Sequence, residues 1–204
     1  MDIKTLTLVG GISRDSLNKK LFNAIQEMEL ANFLFEAFDI SRLPFFSQDL
    51  EMDPPDKVTE FKEKIRDCEA VVLITPEYNR SFPGVLKNAI DWGSRPYGQN
   101  LWDKKPAAIL GASIGNIGTF GAQHHLRQVL SYLNMYTMGQ PEFYFNASHA
   151  FNDQGKLVNE KTKHLLTTFF NSFHDHVMLI NQNQTTSIPP HFRSRGLEDS
   201  PAPH

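Results

Sequence analysis

The chain has 204 residues, 40% of them hydrophobic, which is enough apolar material for one domain with a sizeable core. Its formal net charge of -3 supplies no basic field for nucleic acid, and no block of like charges marks an interaction tail. Cys68 is the only cysteine, which excludes an intramolecular disulfide, a CxxC redox pair and a thiolate metal cluster.

Met1 to Val9 runs directly into an aliphatic, β-branched segment, without the charged start, apolar stretch and small-residue cleavage site of a signal peptide. No apolar run approaches the roughly 18 to 20 residues of a membrane helix. A cytoplasmic protein with no membrane partner is expected.

Ile3 to Val9 reads as a strand ending at Gly10-Gly11, and apolar spacing of helical period begins at Leu17. Phe33 to Phe38 is a second strand-like run. Ser41 to Asp56, broken by prolines, is a loop leading into a charged helix over Asp56 to Asp67. Ala70 to Thr75, the run AVVLIT, is the clearest buried strand. Pro76 to Pro83 is a non-helical loop, and Gly84 to Trp92 a helix with Val85, Leu86, Ala89 and Ile90 on one side. Pro106 to Ala112 is a fourth strand, Ser113 to Thr119 a glycine-containing loop, and Ala122 to Met135 a helix. Phe143 to Phe145 belongs to a fifth strand, and Glu160 to Ile180 forms the last helix.

Strands alternating with helices predict an α/β protein, because parallel strands need crossover connections that place helices on both faces of the sheet. Five such units fit a flavodoxin-like, five-stranded parallel sheet of order 2-1-3-4-5, with residues 1–180 as one domain. Residues 181–204 turn to Asn, Gln, Thr, Ser and Pro and read as a mobile tail or a partner-bound arm. Ligands of such sheets sit beyond the carboxyl ends of the strands, where strand order reverses. The loops after strands one, three and four are therefore the places to search.

In the first loop, Gly11, Ser13, Ser16 and Asn18 bring backbone N–H groups, hydroxyls and an amide to the start of a helix, and Arg14 adds a charge. That set suits a terminal monophosphate, and it also suits a plain N-cap at Ser16 or Asp15. It is neither a Walker A loop nor the GxGxxG dinucleotide fingerprint. His124-His125 diverge on a helix, as do His174 and His176, so neither pair makes a metal site. Cys68, before a buried strand, reads as a packed thiol.

The segment Thr75-Pro76-Glu77-Tyr78-Asn79-Arg80-Ser81-Phe82-Pro83-Gly84-Val85-Leu86-Lys87-Asn88-Ala89-Ile90-Asp91-Trp92 resembles the PEYN-x-S-x-PG-x-LKNAIDW signature of the NADPH-dependent FMN reductase family. The resemblance covers about residues 3 to 145. It implies that Pro76, Glu77, Tyr78 and Asn79 line a flavin ring, while Lys87 and Asp91 are surface or structural partners. Rigid proline-bounded backbone with N–H donors and a flat side chain agrees physically with a tricyclic ring.

The family's first loop is close to G-S-x-R-x-x-S-x-N. Aligning Ser16 and Asn18 to its last positions puts Gly11 on the serine and Ser13 on the arginine, so both depart from the pattern. The third loop resembles the family's S-x-G-x-x-G-G, with Ser113, Gly115, Asn116 and Gly118 as candidates and Thr119 and Phe120 in place of the second adjacent glycine.

The resemblance implies FMN as cofactor and NADPH or NADH as electron donor, with no recognisable adenine-phosphate site to choose between them. No acid, base or nucleophile of the protein is required as a catalytic residue, since flavin N5 carries the hydride. The acceptor is a small molecule: a quinone, azo compound, nitro compound, metal oxyanion or free flavin. The family further implies a homodimer or homotetramer, to which Ser94-Arg95-Pro96-Tyr97 could contribute. Two readings compete: a flavodoxin-type electron carrier without NAD(P)H activity, and a non-enzymatic protein on the same fold.

Overall fold

Ala70–Ile74, the strand read as most buried, is enclosed at all five positions and lies in the middle of a parallel sheet. In the computed structural model, which describes residues 2–185, the strands are β1 (Ile3–Val9), β2 (Phe33–Phe38), β3 (Ala70–Ile74), β4 (Pro106–Ser113), β5 (Tyr136–Thr137) and β6 (Tyr144–Asn146). The helices are α1 (Leu17–Glu27), α2 (Asp56–Asp67), α3 (Gly84–Ser94), α4 (Phe120–Tyr132) and α5 (Glu160–Thr185). Sheet order is β2-β1-β3-β4-β5, with every pairing parallel and β6 also paired to β4. This is the predicted doubly wound order, with β5 and β6 sharing the fifth position.

Side chains alternate across the strands and so divide the interior in two. Leu6, Leu8, Val71, Leu73, Ala107 and Ile109 face one core, closed by Val58, Phe61 and Ile65 of α2, Leu86 and Ile90 of α3, and Leu126 and Leu130 of α4. Ile3, Val72, Ile74, Ala108 and Leu110 face the other, closed by Leu21 and Ile25 of α1 and by Leu166, Phe169, Phe170 and Phe173 of α5. Burial on both faces explains why β3 reads as an unbroken apolar run.

Three predicted boundaries need correction. The fifth strand, expected at Phe143 to Phe145, is split: Pro106 and Ala107 pair with Tyr136 and Thr137, whereas Gly111, Ala112 and Ser113 pair with Tyr144, Phe145 and Asn146. Pro141, which has no N–H to donate, lies between the two pieces. The helix expected to reach Met135 stops at Tyr132, because Asn134 adopts φ +58, the left-handed conformation that ends helices. The last helix runs past Ile180 to Thr185, so the first residues of the predicted tail are helical. The remainder, residues 186–204, lies outside the described residues.

Two signature residues of α3 serve the fold. Asn88 Nδ2 donates to Pro44 O at 2.9 Å and its Oδ1 accepts from Phe46 N at 2.8 Å, while Trp92 Nε1 donates to the same Pro44 O at 2.8 Å. Together they tie down the proline-broken loop before α2. Lys87 and Asp91 pair with each other at 2.7 Å on the helix surface, as read from the sequence.

Phe173 is fully buried and stacks 5.8 Å from the Phe33 ring, closing the α1 and α5 face onto the edge strand. Phe173→Ala is expected to cost about 3–5 kcal/mol, read as a lowered urea midpoint. An unchanged midpoint would show that α5 does not close this face.

Candidate active site

β1 and β3 end level with one another, Val9 opposite Ile74, and β4 runs on past Leu110, the residue opposite Ile74, to Ser113 at the same end of the sheet. The loops that follow therefore open on the same edge of the sheet, and they pack on one another. A Cβ on Gly10 would stand 3.3 to 3.4 Å from Pro83, Leu86 and Pro76, so the first loop is seated directly on the second. Gly10 N also donates to Ile74 O at 2.8 Å.

In the first loop no backbone N–H from Gly11 to Asp15 meets an internal acceptor among the described residues. Ser16 is the N-cap of α1, with φ -61 and ψ 123, and its Oγ accepts from Lys19 N at 3.3 Å. The hydroxyl is buried, and its own proton meets no acceptor among the described residues. A Cβ on Gly11 would collide with Ser16 Oγ, so glycine stands there because the loop folds against that hydroxyl. Free amides above a buried hydroxyl at a helix start make a cradle of the kind a phosphate fills. Ser13 and Arg14 are exposed on its rim.

Asn18 is only 2% exposed, and its carboxamide is engaged elsewhere: Nδ2 donates to Ala112 O at 3.0 Å, and Oδ1 accepts from Ala112 N at 2.9 Å. It straps α1 to β4, so its link to the first loop is one of position.

The second loop is a two-residue hairpin. Tyr78 N donates to Ser81 O at 2.9 Å and Ser81 N to Tyr78 O at 3.0 Å, with Asn79 at φ +51 and Arg80 at φ +64. Positive φ at both central residues is what a type I′ turn requires, and an arginine there stores strain. Pro76 is buried beneath the turn, whereas Tyr78 is 54% exposed.

Glu77 holds this turn in place. Its Oε2 accepts from Ala122 N in the first turn of α4 at 3.1 Å, and its Oε1 meets Arg80 at 3.2 Å. Ser81 Oγ lies 2.8 Å from His125 Nδ1, a second tie between hairpin and α4.

Ser113 organises the third loop from within. Its Oγ donates to Gly118 O at 2.8 Å and accepts from Gly115 N at 3.1 Å. Gly118 has φ +60, and a Cβ there would lie 2.8 Å from the Tyr144 carbonyl carbon, so no side chain fits. Asn116 is exposed, with Oδ1 accepting from Asn146 Nδ2 at 3.3 Å. Thr119, in the place of the family's second glycine, accepts from buried Gln123 Nε2 at 2.9 Å. Phe120 stands 4.2 Å from the His124 ring and 5.3 Å from that of Tyr144, whose phenol is held well above its usual range, chiefly by burial and then by Glu142.

A cleft of about 570 Å³ separates the second and third loops, lined by Glu77, Asn79, Arg80, Ser113, Ile114 and Asn116 among others. Residues from two of the three predicted groups thus meet around one opening, while the first loop packs through Gly10 on Pro76 and Pro83 of the second loop and is not part of the lining. Arg80 was not among the predicted site residues, because nothing in a turn without glycine signals a left-handed arginine. Ile114, 73% exposed on the rim, was missed as well, since exposure cannot be read from an isolated apolar residue in a loop. Cys68 is a packed thiol: burial pushes it up, and Sγ donates to Ile65 O at 3.3 Å.

Loops gathered where strand order reverses mark the doubly wound nucleotide-binding proteins, and order 2-1-3-4-5 makes this one flavodoxin-like. Sequence comparison narrows the class. The model of the NADPH-dependent FMN reductase family matches residues 3–150, and the chain belongs to that family. It is therefore an oxidoreductase, with FMN as cofactor and a nicotinamide as electron donor.

It is 45% identical over 174 residues to a 2-hydroxy-1,4-benzoquinone reductase of a Burkholderia species, covering 85% of this chain and 95% of that one. It is 44% identical to a quinone reductase of Pseudomonas putida, over 84% of this chain and 93% of the other. Among solved structures it matches the flavoenzyme NAD(P)H:acceptor oxidoreductase FerB of Paracoccus denitrificans, with TM-score 0.81, 40% identity, and 86% and 97% of the two chains covered.

Asn18→Ala leaves both polar groups of Ala112 without their partner. The expected loss is about 2–4 kcal/mol, measured as a lowered denaturant midpoint, since each abandoned buried group costs about 1–3 kcal/mol. An unfolding free energy within about 0.5 kcal/mol of the wild-type value, the scale of surface substitutions, would show that the strap carries no stability.

Proposed function

We propose that this protein transfers a hydride from NADH or NADPH to FMN held across the three loops, and passes the electrons on to a quinone. The observation that carries the reading is the open cleft between the Asn79-Arg80 turn and the Ser113–Gly118 loop, at the same end of the sheet as the free amides of the first loop. The backbone of Gly11, Ser13 and Arg14, with the Ser16 hydroxyl, would hold the phosphate. Pro76, Tyr78 and Asn79 would border the ring on one side, and Gly115, Asn116 and Gly118 on the other. Glu77, Asn18 and Ser113 take part by positioning, since their polar atoms are engaged with Ala122, Ala112 and Gly118.

When bound, FMN supplies the redox chemistry by taking a hydride at N5 and giving two electrons to the acceptor. The residues of the chain bind, orient and leave an opening. Exposed Ile114 in the cleft lining, and exposed Tyr78 on the adjoining hairpin, support a flat apolar acceptor such as a quinone. The names of the similar reductases support the same choice.

The oligomer is proposed to be a homodimer or homotetramer. A groove between α3 and α4, lined by Val129 and by Lys87, Asp91, His125 and Gln128 beside Tyr132 at 86% exposure, supports it. A cytoplasmic location is supported by the lone buried Cys68. No helix among the described residues is long and apolar enough to cross a membrane.

Purified protein reconstituted with FMN is expected to show flavin absorption that bleaches on adding NADH or NADPH without oxygen, and that returns on adding 1,4-benzoquinone. Bound FMN that stays oxidised in excess nicotinamide would point to an electron carrier, and absence of FMN binding would sink the flavoprotein reading.

A further inference from the structure

The cradle of the first loop lacks the charge that its family pattern places at position 13, where this chain has serine. Arg14 and Asp15 offset one another in formal charge, and Lys20 lies against Gly155. Lys19 is different. Its backbone N–H donates to Ser16 Oγ at 3.3 Å, and its ammonium reaches back seven residues to donate to Ile12 O at 2.9 Å. One residue therefore grips the cradle at its capping hydroxyl and at its middle peptide.

The second grip has a geometric consequence. The Ile12–Ser13 peptide is trans, so its carbonyl and its N–H point in opposite directions. An ammonium that holds the Ile12 carbonyl also fixes the opposite direction of the Ser13 N–H, which meets no internal acceptor among the described residues. The ammonium also polarises that peptide, which strengthens the N–H as a donor to an anion.

We propose that Lys19 is the positioning cation of the phosphate cradle, fixing the Ile12–Ser13 peptide so that its N–H faces the FMN phosphate, in place of an arginine at position 13. This rests on the flavoprotein reading above. Lys19 acts through the backbone and leaves the ring to the other two loops.

Riboflavin, which has the same ring and no phosphate, separates the two contributions. Apoprotein of the wild type, Lys19→Met and Lys19→Arg is titrated with FMN and with riboflavin, following quenching of flavin fluorescence, and each melting midpoint is recorded. Lys19→Met is expected to bind FMN about tenfold more weakly, the scale of one charge-assisted contact, with riboflavin affinity and melting midpoint unchanged. Lys19→Arg is expected to recover most of the loss. The inference is overturned if Lys19→Met binds FMN as tightly as the wild type, or if FMN and riboflavin weaken by the same factor. A wild-type protein that bound neither flavin would overturn the flavoprotein reading and this inference with it.

Discussion

Two hydrogen bonds between the Asn18 carboxamide and the backbone of Ala112 join parts of the chain separated by 94 residues, and the arrangement of the cleft depends on them. Asn18 sits on the helix that follows β1, whereas Ala112 belongs to β4, two places along the sheet. The side chain copies the pairing of a neighbouring strand and so satisfies both polar groups of a buried peptide position. Because Ser16 caps α1, the strap also sets where the first loop stands relative to the third. The hairpin between them is fixed in turn by Glu77 on the first turn of α4.

The fold was largely legible because burial on both faces of a parallel sheet writes itself into sequence as short unbroken apolar runs. Ala70–Ile74 and Pro106–Ser113 lie within a residue of where those runs placed them. The fifth position was only half legible. Tyr136–Thr137 is two residues long, too short for any periodicity, and it holds its place through β4. The end of α4 depended on Asn134 entering the left-handed region, which asparagine permits without requiring.

The site was legible as a set of loops and less so as a set of roles. Pro76 to Asn79 could be recognised from the long signature that contains them, yet the partner of Glu77 lies 45 residues further on and is a backbone amide, which leaves no mark in sequence. Asn18 and Ser113 look like ligand residues because amides and hydroxyls are what phosphates and flavins need. In the folded chain both spend those groups on backbone. The signature itself divides in the same way, for Asn88 and Trp92 hold Pro44 while Tyr78 and Asn79 face outward. A recurrent motif therefore mixes groups that meet a ligand with groups that merely keep the first ones in place.

The left-handed Arg80 has a cost that falls on the protein at rest. A residue with a side chain at φ +64 carries about 1 kcal/mol of strain that glycine would not. Glycine, however, would delete the guanidinium that tethers the turn tip to Glu77. At this position greater stability and a firmly held cleft pull in opposite directions. A redesign of this sequence guided by stability alone would choose glycine here and loosen the mouth of the site.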